Sequence, residues 1–139
     1  MSSSFIPLAG CLANATQQQT AFAESVLHLF KSTFSPTPSN VLADYTAAEA
    51  DYTTYEALTL TAWLSPILAP GNGFMINSPE VQFSTGDTTP AVGNLIGGCY
   101  LVDATGALRL TIVFASPVPM ELAYQGIPIS LTYLFPTGQ

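Results

Sequence analysis

Few residues in this chain could do acid–base, nucleophilic or metal chemistry. It has one histidine, His28, two cysteines, Cys11 and Cys99, nine carboxylates, and two cations, Lys31 and Arg109. Histidine is the usual group for proton transfer near neutrality. His28 sits in an apolar run between Leu27 and Leu29, the setting of a structural or interface histidine. A Ser-His-Asp triad would need an activated serine, and no G-x-S-x-G elbow occurs. Pairing of His28 with Cys99 or Cys11 stays open, but neither cysteine has the electropositive sequence setting that lowers a thiol pKa. Zinc fails on ligand number and on spacing, since there is no C-x-x-C or H-x-x-x-H.

Carboxylates alone are a weak signal. Glycoside hydrolysis needs only two of them, a condition that Glu80, Glu121 or the acidic group meets without specificity. Asp44, Glu49, Asp51 and Glu56 lie close in sequence, yet they lack EF-hand spacing and a loop glycine. They read as a solvated acidic face with a capping Glu, and cation binding there is left open. Gly93 to Gly98 has no phosphate-loop pattern and lies within a strand pattern, so Gly97-Gly98 marks a β-bulge or a close backbone approach. The chain is accordingly expected to be no enzyme and to use no cofactor or metal.

Composition narrows the partners. Charged residues make up 8% of the chain and hydrophobic ones 48%, against about 25% charged in an average domain. A surface built from Thr, Ser, Gln and Asn is easy to bury against other subunits, because few charges must be desolvated. The formal net charge is −7. Two isolated cations cannot displace counterions from phosphates, so nucleic acid is not an expected partner, and neither is anionic lipid. No apolar run approaches the roughly 18 residues of a membrane span. Leu8-Ala9-Gly10-Cys11 matches a lipobox but lacks the basic n-region and longer apolar stretch of a lipoprotein signal. The two cysteines read as reduced thiols, Cys99 buried in a strand, with an intermolecular Cys11 bridge left open.

Strands must do the positioning. Glu24 to Phe34 alternates Val26, His28 and Phe30 with Leu27, Leu29 and Lys31. This predicts a strand covered on both faces and stopped by Pro36 and Pro38. Asp44 to Asp51 predicts one or two helical turns, capped by Thr46 with Glu49 reaching back. Tyr55 to Leu64 predicts a half-buried strand, with Trp63 as a core or interface anchor. Ser65 to Gly73 reads as a loop with Ile67 and Leu68 at its tip, placed either over the core or against a partner. Phe74 to Thr85 predicts strands broken at Pro79. Asn94 to Phe114 predicts a hairpin turning at Asp103 to Gly106, with Leu101, Leu110 and Ile112 in the core and Arg109 facing a carboxylate or a partner chain. Ser116 to Pro119 interrupts, and Gly126 to Phe135 closes the domain as one strand, with Pro128 at an edge or first position.

The expected fold class is all-β, a single antiparallel β-sandwich or barrel-like domain with an N-terminal arm and one short helix. The arm spans residues 1–22, with a helical turn or two across Leu12 to Gln19, and packs on another subunit or across the domain, a frayed tail being the rival reading. The β-sandwich domain spans residues 23–139.

From Val26 to Trp63 the chain resembles short virion structural proteins of tailed bacteriophages. The pattern is an apolar strand ending Leu27-His28-Leu29-Phe30-Lys31, the Thr/Pro loop Ser35 to Ser39, Ala43-Asp44-Tyr45-Thr46 with an acidic turn, and then Tyr55 to Trp63. It continues more loosely through Gly97 to Asp103 and Gly106 to Pro119. The resemblance implies a virion component without catalytic residues, above all a capsid decoration or cement protein touching the major capsid protein and its own copies as a homo-oligomer. Its location would be the virion, assembled in the host cytoplasm, with a neck or tail protein as the nearest variant. The interface candidates are Phe5, Ile6, Leu8 and Cys11 in the arm, Ile67 and Leu68 in the loop, and Trp63. The rival readings are a carbohydrate-binding or receptor-binding sandwich that stacks sugars on Trp63, Tyr52, Tyr55 and Tyr124, and a small carboxylate hydrolase.

Overall fold

The computed structural model describes residues 8–61, 63, 64, 66–68, 73–90 and 94–136. Along the chain run α1 (Leu8–Phe22), β1 (Ser25–Lys31), α2 (Leu42–Ala47), β2 (Leu58–Leu60), β3 (Ile67–Leu68) and β4 (Gly73–Asn77). They are followed by β5 (Val81–Ser84), β6 (Leu95–Val102), β7 (Leu108–Pro119), β8 (Gly126–Ile129) and β9 (Thr132–Pro136). The strands form three antiparallel sheets, ordered β2-β1-β6-β7, β3-β4-β9 and β5-β8. The fold is thus mostly β with two helices, and no closed barrel is formed among the described residues.

The four-stranded sheet separates the interior into two parts. In the β1–β6 register Leu29 pairs with Cys99 and His28 with Tyr100. Because side chains alternate along a strand, Leu27, Leu29, Cys99 and Leu101 enter the main core, which Ile76, Phe83 and Ile127 complete from the two smaller sheets. Phe30 and Tyr100 point the other way, where Tyr45 of α2 joins them in a smaller aromatic cluster flanked by Phe34 and Leu108. The expected bulge is present, because the register shifts between Ile96 and Gly98. One extra residue reverses the alternation and returns Ile96 to the main core. Gly98 has to be glycine there: a Cβ would come within 2.5 Å of the Phe30 ring and closer still to the Ile112 carbonyl.

Several expectations are corrected. The N-terminal segment holds a 15-residue helix instead of a turn or two. Its Ala15 and Phe22 are buried in the main core, with the Phe22 ring 5.2 Å from that of Trp63. Of the two placements open for the arm, its described part packs across the same chain. Helix α2 begins four residues before Thr46, with Val41 at the N-cap. Asp44, not Glu49, takes the Val41 N–H at 2.9 Å, and Thr46 lies inside the helix bonding back to the Leu42 carbonyl.

Tyr55 to Leu64 contributes only the three residues of β2. Ile67 and Leu68 form a short strand paired with Phe74 and Met75 instead of a loop tip. The last predicted strand is two strands in different sheets. Leu131, between them, exchanges hydrogen bonds with Ser78: its N–H reaches the Ser78 hydroxyl, and the Ser78 N–H reaches its carbonyl, each at 2.8 Å. Pro128 lies in a two-stranded sheet opposite Gln82, the edge position it requires. Ser116 to Pro119 continues β7, where the register jumps from Val113 opposite Gly98 to Val118 opposite Ile96. Ile112, expected in the core, is 37% exposed because β7 is the outermost strand.

Candidate functional site

One concentration of polar side chains among the described residues surrounds His28. Strand β1 holds the imidazole on the second face of the large sheet, stacked on the Tyr100 ring at 4.7 Å and 7°. Its Nδ1 lies 2.6 Å from Glu49 Oε2. Glu49 arrives there because the chain after α2 runs beside β1, with Lys31 N–H donating to the Ala48 carbonyl and Ala50 N–H to the Leu29 carbonyl. The same Oε2 accepts the Tyr55 hydroxyl at 2.6 Å, and that hydroxyl accepts the Leu29 N–H at 3.1 Å. One carboxylate oxygen therefore orders a histidine and a tyrosine and ties them to the β1 backbone.

This arrangement suits a clamp better than a proton-transfer site. Burial, and then the bond to Glu49, push the Tyr55 hydroxyl far above its ordinary pKa, so it stays protonated. Burial followed by the Glu49 charge does the same to Tyr100, whose enclosed hydroxyl makes no well-formed hydrogen bond although Thr46 and Glu49 lie near it. Neither phenol is poised to act as a base. Cys99 cannot serve His28, because strand alternation sends its side chain to the opposite face. Burial there pushes its thiol up to about 12, so it is a free, protonated core residue.

The acidic group disperses into separate tasks. Asp44 caps α2, Glu49 binds His28, and Asp51 meets Lys31 Nζ at 2.8 Å in an exposed pair, of the kind that contributes little. Among the described residues no three His, Cys, Asp or Glu side chains could hold a metal ion together.

Arg109 faces a carboxylate of its own chain. Its Nε donates to Asp103 Oδ2 at 2.6 Å, while Asp103 Oδ1 accepts the Thr105 hydroxyl and N–H and the Ala107 N–H. Those bonds, the Thr105 hydroxyl first, then the Ala107 N–H and Arg109, hold the Asp103 carboxyl well below the usual range. This network fixes the hairpin turn, where Gly106 has φ +89°.

Of the seven interface candidates, only Trp63 and Ile67 have described side chains. Trp63 is buried against Phe22 and takes a Gln19 amide hydrogen on its carbonyl at 3.1 Å. Ile67 is half exposed at a sheet edge. Phe5 and Ile6 lie outside the described residues, as do the side chains of Leu8, Cys11 and Leu68. The aromatic row imagined for sugar stacking is dispersed too: Tyr52 is buried, Tyr55 is bonded to Glu49, and only Tyr124 stands out, 81% exposed with φ +60°.

What sequence reasoning missed is the exposure of β7. Val113 at 62% exposure and Ile112 lie on this outermost strand, while Val41, Leu64, Leu122 and Tyr124 are further exposed apolar groups elsewhere. A run such as Leu108 to Phe114 carries no mark of whether a second strand will cover it. Compared with family models, curated proteins and solved structures, the chain matches none. Among the described residues no helix is long and apolar enough to cross a membrane.

Proposed function

We propose that the protein is a structural component of a bacteriophage virion that works by protein–protein contact, as a decoration or cement protein on the capsid. The observation that carries this reading is a chain with only two cations and nine carboxylates on whose surface Val41, Leu64, Val113, Leu122 and Tyr124 stand exposed. Such groups favour burial against a partner and carry little charge that would have to be desolvated. The internal polar groups around His28 and Asp103 are spent on holding the fold. Contacts to the major capsid protein and to further copies would add area that the shell must lose before it opens. We also infer that the sheets are layers of one sandwich, a reading supported by the core that Leu29, Ile76 and Phe83 share.

Mass spectrometry of purified virions tests the proposal. The protein is expected at a fixed ratio to the major capsid protein, and added protein should co-sediment with heads that lack it. Binding to isolated tails in place of heads would move it to the neck or tail, and its absence from virions would end the proposal.

A further inference from the structure

We propose that β7 is where two copies of this chain join, their β7 strands pairing antiparallel across a two-fold axis so that the sheet continues from one copy into the next. The starting observation is an open edge. β7 ends the β2-β1-β6-β7 sheet, and among the described residues no backbone hydrogen bond reaches it from outside that sheet. Folded proteins shield such edges with lysines, prolines, bulges or covering loops. On β7 the prolines, Pro117 and Pro119, and one register jump fall after Val113, while a second shift, which leaves Arg109 as an extra residue between Leu108 and Leu110, falls before the run Leu110 to Phe114. Leu110 to Phe114, LTIVF, is left without a charge, and the neighbouring Arg109 is drawn back onto Asp103. This uncharged stretch, about as long as a typical strand and β-branched at Thr111, Ile112 and Val113, therefore presents outer N–H and C=O groups that no described residue pairs.

The occupant follows from what such an edge accepts. Unpaired strand groups are satisfied by another extended backbone. The other described strands at open edges, β2, β3, β5, β8 and β9, are two to five residues long against the 12 residues of β7, so among the described strands β7 is best matched by β7. A strand meeting its own copy makes an isologous, closed contact. Charge favours the same partner: there is no carboxylate between Ala104 and Met120, so two acidic chains can meet here without opposing like charges. A stable interface takes about 800 Å² from each partner, more than a strand edge alone supplies. A groove of about 380 Å³ beside the strand, lined by Pro36, Pro38, Leu108 and Val113, is placed to take side chains from the incoming copy.

This inference concerns the purified chain, so it stands or falls separately from the virion reading. Sedimentation velocity over a wide concentration range should show twice the 14.6 kDa chain mass for the wild type and a monomer for Val113→Lys. Leu122→Lys, equally exposed but off the edge, should remain a dimer. Amide exchange at 108–114 should slow as wild-type concentration rises, a readout that needs no variant to fold. A wild type that stays monomeric, a dimer that a folded Val113→Lys leaves intact, or protection at 108–114 independent of concentration would each overturn the proposal.

Discussion

β6 and β7 are the two arms of one hairpin, both rich in Leu, Ile and Val, and their fates differ. In β6, Ile96 and every residue from Gly98 to Leu101 are buried; in β7 none is. Composition does not separate them, since LIGGCYLV and LRLTIVF are similarly apolar. Position does: β6 lies between β1 and β7, while among the described strands β7 has a neighbour on one side only. The comparison shows that apolar character selects strand residues but does not say which strand will be enclosed, because enclosure depends on what pairs on the far side.

Paired substitutions test that contrast, and the largest effect is expected in the core. Leu101→Ala, at a fully buried site, should cost about 3 kcal/mol. Ile112→Ala, on the neighbouring strand opposite Cys99, should cost under about 1 kcal/mol in dilute solution, where half-exposed apolar groups matter less. Urea unfolding decides, and equal losses would mean that β7 is enclosed after all.

The next pair concerns glycines. Gly98→Ala forces a methyl against Phe30 and the Ile112 backbone, an overpacking that should cost about 2 kcal/mol. Gly106→Ala meets open space but at φ +89°, where the strain of an L side chain should cost about 1 kcal/mol. A Gly98→Ala protein as stable as the wild type would remove the bulge as a reason for the close β1–β6–β7 packing.

The smallest effect joins the two arms through their turn. Asp103 has a folded-state pKa depressed below its unfolded value, so its contribution is present above the unfolded carboxylate pKa of about 3.9 and is lost as pH falls through the lower folded value. The melting temperature should therefore fall more steeply below about pH 4 for the wild type than for Asp103→Asn. Identical acid limbs for the two proteins would show that the turn network adds nothing to stability.

Much of the hairpin was legible because its determinants are neighbours in sequence. Asp103 and Gly106 supply the side-chain acceptor and the left-handed residue of the turn, and Gly97-Gly98 marks the bulge. The break at Pro79 and the edge position of Pro128 follow from the missing N–H of proline. Helix α1 was underestimated because few of its positions are deeply buried, which leaves a weak apolar pattern around Ala15 and Phe22. The assignment of Glu49 as a cap failed because Asp44 lay closer to the true helix start. The partnership of His28 with Glu49, 21 positions away, has no local signature at all.

The sequence by itself determined a strand-rich, charge-poor chain with its turn, bulge and breaks, since these depend on φ preferences and on residues a few positions apart. Only the tertiary structure decided that β6 is central and β7 an edge, that α1 enters the core, that Trp63 is enclosed, and that Glu49 holds His28 and Tyr55. Each of these depends on which distant segments come to lie side by side, and pairing at that range is settled by the packing of the whole chain.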